Sequence, residues 1–100
     1  MNDKPKKGSR LAIIDYDRIL QRILSTKLEA LGYDVSVYDG ATQAVAGLKA
    51  KAVDLIILDL IMPEMDGLTF VTTLRSTPEY AKMPVLMVTT RSVKDDILEA

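Results

Sequence analysis

The sequence contains no cysteine, no histidine and no tryptophan among its 100 residues. Without cysteine there is no disulfide and no thiolate catalysis, and without histidine an imidazole general base is excluded. A bound metal must therefore take oxygen ligands, which favours magnesium, calcium or manganese. No apolar run approaches the roughly 20 residues of a membrane span, so no membrane association is expected.

The sequence also lacks an excess of positive or negative charge. The 13 basic and 14 acidic side chains give a formal net charge of −1, which does not favour nucleic acid or an anionic membrane as a partner. The first nine residues are polar and basic and lack the apolar core of a signal peptide. We therefore predict a flexible basic N-terminus over residues 1–9, one domain over residues 10–100, and a cytoplasmic location.

Short apolar runs alternate along the chain with helical patterns. The runs that predict strands are Leu11–Ile14, the alternating segment Tyr33–Val37, Leu55–Leu58 and Val85–Val88. The segments that predict helices are an apolar pattern from Ile19 to Leu31, Gly40–Ala52, Leu68–Leu74 and Val93–Ala100. Asp17 suits the N-cap of the first helix and Gly32 its end.

This strand–helix alternation predicts the fold class. Connections of helical length require parallel strands joined by right-handed crossovers. Four such units are too few for a closed barrel, which needs eight. The sequence therefore predicts an α/β protein with an open, doubly wound parallel sheet.

Acidic and hydroxyl residues follow the last apolar position of three predicted strands. Asp15 follows the first run, Asp59 the third, and Thr89 the fourth. Ligands of open α/β sheets bind at the carboxyl ends of the strands. Two carboxylates about 4 Å apart repel by roughly 4 kcal/mol at an effective dielectric near 20. If the first and third strands are neighbours, the site needs a cation, and an oxygen donor set suits Mg²⁺.

The segment Asp54–Gly67 reads DLIILDLIMPEMDG and resembles the signature of response-regulator receiver domains, which work in two-component signalling. Leu11–Asp17 resembles the first strand and acidic loop of that family, and Pro84–Thr89 its fourth strand. The resemblance is to chemotaxis-regulator-like receivers with a flavodoxin-like fold. It implies a phosphoacceptor signalling domain that is not an enzyme in the ordinary sense.

The resemblance also implies a role for individual residues. Asp59 would accept a phosphoryl group from a sensor histidine kinase or a phosphotransfer protein. Asp15, Asp59 and the backbone carbonyl of Ile61 would hold Mg²⁺. Thr89 would be the switch hydroxyl that turns towards the phosphoryl group.

Two of the departures from the family pattern affect the expected metal site and the expected sheet. Tyr16 stands where the family has a second acid, so we expect weak Mg²⁺ binding. Ala100 precedes the fifth strand–helix unit and its phosphate-binding lysine, so only four such units are expected. The fourth strand would then lie at an edge of the sheet, where its apolar run can pair with a second copy in a homodimer.

Two other functions remain open from the sequence. Tyr16 and the missing lysine also fit a pseudo-receiver that docks partners without being phosphorylated. The triplet Asp15-Tyr16-Asp17 further resembles the D-x-D motif of haloacid-dehalogenase-like phosphatases, in which Asp15 would be the nucleophile and Asp17 the general acid.

Overall fold

The computed structural model describes residues 8–59, 62 and 65–88. Its strands are β1 (Arg10–Ile14), β2 (Asp34–Tyr38), β3 (Leu55–Asp59) and β4 (Val85–Val88). Its helices are α1 (Arg18–Ala30), α2 (Ala41–Ala50) and α3 (Gly67–Arg75), followed by one 3-10 turn over Pro78–Tyr80. The order confirms the predicted alternation, although the 3-10 turn was not predicted. The predicted fourth helix, Val93–Ala100, lies outside the described residues.

Side-chain caps define where two of the helices begin. The Asp17 carboxylate accepts hydrogen bonds from the backbone N–H groups of Ile19 (3.0 Å) and Leu20 (3.2 Å), as predicted for the first N-cap. Asp66 caps α3 in the same way through the N–H of Thr69 (2.8 Å). After α1 the chain turns at Gly32 with φ of 97°, a conformation that favours glycine.

The four strands form a parallel sheet in the order β2-β1-β3-β4. The connection from β1 to β2 runs in one direction across the sheet, whereas those from β2 to β3 and from β3 to β4 run in the other. Right-handed crossovers then place α1 on one face and α2 with α3 on the opposite face. This is the predicted doubly wound, flavodoxin-like architecture, with β4 at an edge of the sheet that the described residues form.

The main core lies between the sheet and the helix pair α2 and α3. It is built from alternate positions of the two central strands and from the inner sides of α2 and α3. Its buried members are Ala12, Ile14, Ala41, Ala44, Leu48, Val53, Ile56, Leu58, Met62, Phe70 and Leu74. The intervening strand residues, Leu11, Ile13 and Ile57, are also buried but point to the α1 face. Burial on both faces explains why β1 and β3 carry apolar runs without polar alternation.

Helix α1 carries more apolar residues than its contact with the sheet buries. The helix packs against β2, yet Ile19 is 75% exposed and Leu31 is 63% exposed. Ile23 is exposed as well. The predicted helix is therefore present. However, three of the apolar residues that were expected to be buried are exposed in the described part of the chain.

The first described residues, Gly8 and Ser9, are hydrogen-bonded to the start of β2 and the turn before it. Gly8 donates a backbone hydrogen bond to the carbonyl of Gly32 (2.9 Å), and the Ser9 carbonyl accepts one from Asp34 (3.0 Å). Both residues belong to the segment predicted as a flexible arm, so the hydrogen-bonded structure begins before Arg10. Residues 1–7 lie outside the described part.

Candidate functional site

The sheet register brings Asp15 and Asp59 next to each other. Ile14 of β1 is paired with Leu58 of β3, so the next residue along each parallel strand is one of the two aspartates. Both are 2% exposed, and they sit at the carboxyl ends of the two central strands. The structure thus unites the two acids that the sequence predicted to share a site, at the edge where open α/β sheets bind ligands.

Asp15 is fixed by its backbone and by its carboxylate. Its N–H donates to the carbonyl of Tyr38 (3.1 Å), which joins it to β2. Its Oδ1 accepts a hydrogen bond from the N–H of Asp17 (2.8 Å), and its own carbonyl accepts one from Nε2 of Gln21. The position of this carboxylate is therefore set by contacts with β2 and with the start of α1.

Asp59 is positioned by the pairing of β3 with its neighbouring strand β4. It is the last residue of β3, and its Cα is paired with that of Val88 in β4. The residue after Val88 is Thr89, which lies outside the described residues, as does Ile61. Their predicted roles as switch hydroxyl and carbonyl ligand therefore remain expectations from the resemblance.

Tyr16 and Asp17 do not add a third acid to the buried pair. Tyr16 is 52% exposed, and the Asp17 carboxylate caps α1. Over residues 8–59, 62 and 65–88 there is no group of three or more His, Cys, Asp or Glu side chains arranged to hold a metal. The donor set that the structure describes is two neighbouring buried carboxylates, which matches Mg²⁺ held by one or two carboxylates and several waters.

Sequence reasoning missed a polar network beside Asp15. Gln21 of α1 is buried, and its Nε2 also donates to Oδ1 of Asp39 (2.8 Å). Arg18 forms an ion pair with Oδ2 of Asp39 (3.2 Å). The hydrogen bond from Gln21 is the main reason that the pKa of Asp39 lies below its usual value. Partial burial opposes the change, and the charge and hydrogen bond of Arg18 add to it. The sequence did contain one sign of this network. Gln21 lies on the same side of the helix as the apolar residues Leu24 and Leu28, where a polar side chain needs a buried partner.

Comparison with known proteins decides the family. The model of the response regulator receiver domain matches residues 11–100. The chain belongs to the response-regulator receiver family. It is a receiver domain of the kind found in two-component response regulators, and hence a signalling domain.

Relatives and solved receivers agree with this assignment. The chain is 42% identical over 86 residues to the DNA-binding dual master transcriptional regulator RpaA of Synechocystis, covering 80% of the chain and 33% of the relative. It is 33% identical to the chemotaxis protein CheY1 of Helicobacter pylori, covering 91% and 75%. The structure of CheY4 of Vibrio cholerae matches with a TM-score of 0.76 at 29% identity, covering 80% of this receiver and 67% of that chain.

The receiver is shorter than the first of these relatives. It spans 33% of RpaA and 41% of the probable transcriptional regulator ycf29 of Cyanophora paradoxa. The described residues contain no helix with the length and apolar character needed to cross a membrane. The family assignment also favours a receiver over the phosphatase alternative, in which Asp17 would be a general acid rather than a helix cap.

Proposed function

We propose that this receiver accepts a phosphoryl group on Asp59 from a sensor histidine kinase or a phosphotransfer protein, with Mg²⁺ as its cofactor. The observation that carries the proposal is the adjacent, buried pair of Asp15 and Asp59 at the carboxyl ends of the central strands. Two carboxylates in this position repel each other, and a bound divalent cation would offset the repulsion.

Each residue has a defined part in the proposed transfer. A carboxylate oxygen of Asp59 attacks the phosphorus in line with the leaving group, and an acyl phosphate forms as the donor is released. Asp15, Asp59 and the carbonyl of Ile61 would hold Mg²⁺, which when bound would supply positive charge to balance that of the phosphoryl oxygens. Thr89 follows the residue paired with Asp59 and donates a hydrogen bond to the new phosphoryl group.

Acetyl phosphate provides a direct test because it supplies the phosphoryl group without a kinase. We expect the intact mass to rise by one phosphoryl group in the presence of Mg²⁺ and to return when the acyl phosphate hydrolyses. Asp59→Asn is the matched control, since the amide has the same shape and cannot form the acyl phosphate. Modification of this variant, or an unmodified wild-type chain at saturating acetyl phosphate and Mg²⁺, contradicts the proposal.

A pseudo-receiver is the second candidate, and exposed Tyr16 is the observation that favours it. A tyrosine in place of an acid removes one carboxylate from the metal site and leaves an aromatic side chain at the surface. In that case the folded chain binds its partner protein without phosphorylation. The acetyl phosphate experiment separates the two candidates, because only the phosphoacceptor gains mass.

We also propose that two copies can pair through β4. The strand lies at the edge of the sheet that the described residues form, and its run Val85–Val88 is apolar. Unpaired strand edges with apolar residues favour pairing with another chain. Sedimentation velocity over a concentration series is expected to show a dimer, and a monomer at every concentration counts against this pairing.

A further inference from the structure

The polar network beside Asp15 has Gln21 at its centre. The residue is 8% exposed and lies on the side of α1 that faces the sheet. An amide nitrogen carries two N–H groups, and both are used here. One donates to the backbone carbonyl of Asp15 and the other to Oδ1 of Asp39 at 2.8 Å.

The far end of this network is itself held in place. Asp39 follows β2, and its carboxylate is paired with Arg18 of α1. Its backbone N–H donates to Oε1 of Gln43 in α2 (2.8 Å). Gln21 therefore links the Asp15 backbone to Asp39. The position of Asp39 is in turn fixed by contacts with α1 on one face of the sheet and with α2 on the other.

We propose that Gln21 is a positioning residue for Asp15, an inference that rests on the proposed role of Asp15 in binding Mg²⁺. Gln21 fixes the carbonyl of Asp15, while the N–H of Asp17 fixes its Oδ1. With both contacts made, the carboxylate is oriented before the cation arrives. Partners that orient a ligand in this way strengthen metal binding, because less freedom is lost when the ion binds.

A simpler explanation is that Gln21 only stabilises the fold by satisfying buried polar groups. That role predicts a change in unfolding free energy and no specific change in Mg²⁺ affinity. The two explanations therefore differ in whether substitution of Gln21 affects cation binding in a chain that remains folded.

The first experiment measures Mg²⁺ binding by titration calorimetry on the full chain with Gln21→Met. Methionine keeps the approximate volume of glutamine and removes both donors. We expect the affinity to fall about threefold to tenfold, the size of effect that corresponds to the one hydrogen bond lost at the Asp15 carbonyl. Leu24→Met on the same helix is the matched control, since it changes packing without touching Asp15. Equal affinities for Gln21→Met and wild type overturn the inference.

The second experiment tests the network through Asp39, which is not itself a proposed ligand. Asp39→Asn keeps an oxygen that accepts from Gln21, whereas Asp39→Ala removes it. We expect the asparagine variant to bind Mg²⁺ nearly as well as wild type and the alanine variant to resemble Gln21→Met. The double variant of Gln21→Met with Asp39→Ala should bind no worse than Gln21→Met alone, because both changes break one network.

The outcomes separate this inference from the proposed function. A wild-type chain that binds no Mg²⁺ overturns both. A wild-type chain that binds Mg²⁺, with equal losses for Asp39→Asn and Asp39→Ala, overturns only the positioning role, because charge alone then explains the effect. Should Gln21→Met fail to fold, the Asp39 pair decides the question, since that side chain is partly exposed and tolerates substitution better.

Discussion

The ring of Tyr38 lies directly against the backbone of Gly47. A Cβ atom added at Gly47 would overlap Cε1, Cζ and Oη of the tyrosine. Tyr38 ends β2 and packs against the core, and Gly47 lies inside α2. A glycine that weakens α2 by about 1 kcal/mol relative to alanine thus makes room for the aromatic side chain that joins α2 to the sheet.

This contact predicts that Gly47→Ala destabilises the fold although alanine favours helices. Alanine gains about 1 kcal/mol of helix propensity, whereas forcing a methyl group into the ring costs about 2 kcal/mol. We expect a net loss of about 1 kcal/mol in the free energy of unfolding, measured with urea.

The tyrosine provides the internal control for that substitution. In a Tyr38→Ala background the ring is gone, so Gly47→Ala should instead stabilise the chain by about 1 kcal/mol. The same sign in both backgrounds would show that the ring is not the reason for the glycine.

The fold was predictable because its signals are local. Continuous apolar runs at Leu55–Leu58 and Leu11–Ile14 identified the strands buried on both faces, and the caps at Asp17 and Gly32 bounded α1. The contact between Tyr38 and Gly47 could not be predicted, since it depends on how α2 lies on the sheet. The exposure of Ile19 depends in the same way on which elements cover α1, and periodicity alone does not report this.

The site was predictable only in part, for a similar reason. Asp15 and Asp59 each end an apolar strand, and strand order then makes them neighbours. Gln21 and Asp39 meet through the packing of α1 against β2. A polar residue on a buried helical face hinted at Gln21, but nothing in the sequence specified its partners.

The capping role of Asp17 predicts a stability change without a change in metal binding. Asp17→Ala removes the acceptor for two backbone N–H groups of α1 and should cost about 1 kcal/mol in unfolding free energy. Mg²⁺ affinity should be unchanged, because the Asp17 N–H that contacts Asp15 is retained. Asp66→Ala, which removes the cap of α3, is the matched control. A specific loss of Mg²⁺ binding in Asp17→Ala would show that Asp17 has replaced the acid missing at Tyr16.

The lowered pKa of Asp39 predicts a pH dependence of stability. Gln21 and Arg18 both favour the ionised form in the folded chain, so folding depresses the pKa relative to the unfolded value of 3.8. The stabilisation is complete above that value and is lost as the pH falls through the lower folded pKa. The difference in unfolding free energy between wild type and Asp39→Asn should therefore shrink as the pH falls below about 4. Parallel urea stability curves over this range would contradict the prediction.

The adjacent acids predict that stability depends on Mg²⁺ in a specific way. Without the cation, Asp59→Asn removes repulsion from Asp15 and should raise the unfolding free energy by about 1 to 2 kcal/mol, less than the roughly 4 kcal/mol of two unit charges at 4 Å. Mg²⁺ should stabilise wild type by about 2.7 kcal/mol at 100 times its dissociation constant, whereas the variant gains much less. Chemical unfolding of both proteins, with Mg²⁺ and with excess chelator, measures the four values. Equal Mg²⁺ stabilisation of wild type and Asp59→Asn would place the cation elsewhere, because a site shared by both carboxylates cannot lose one without weakening.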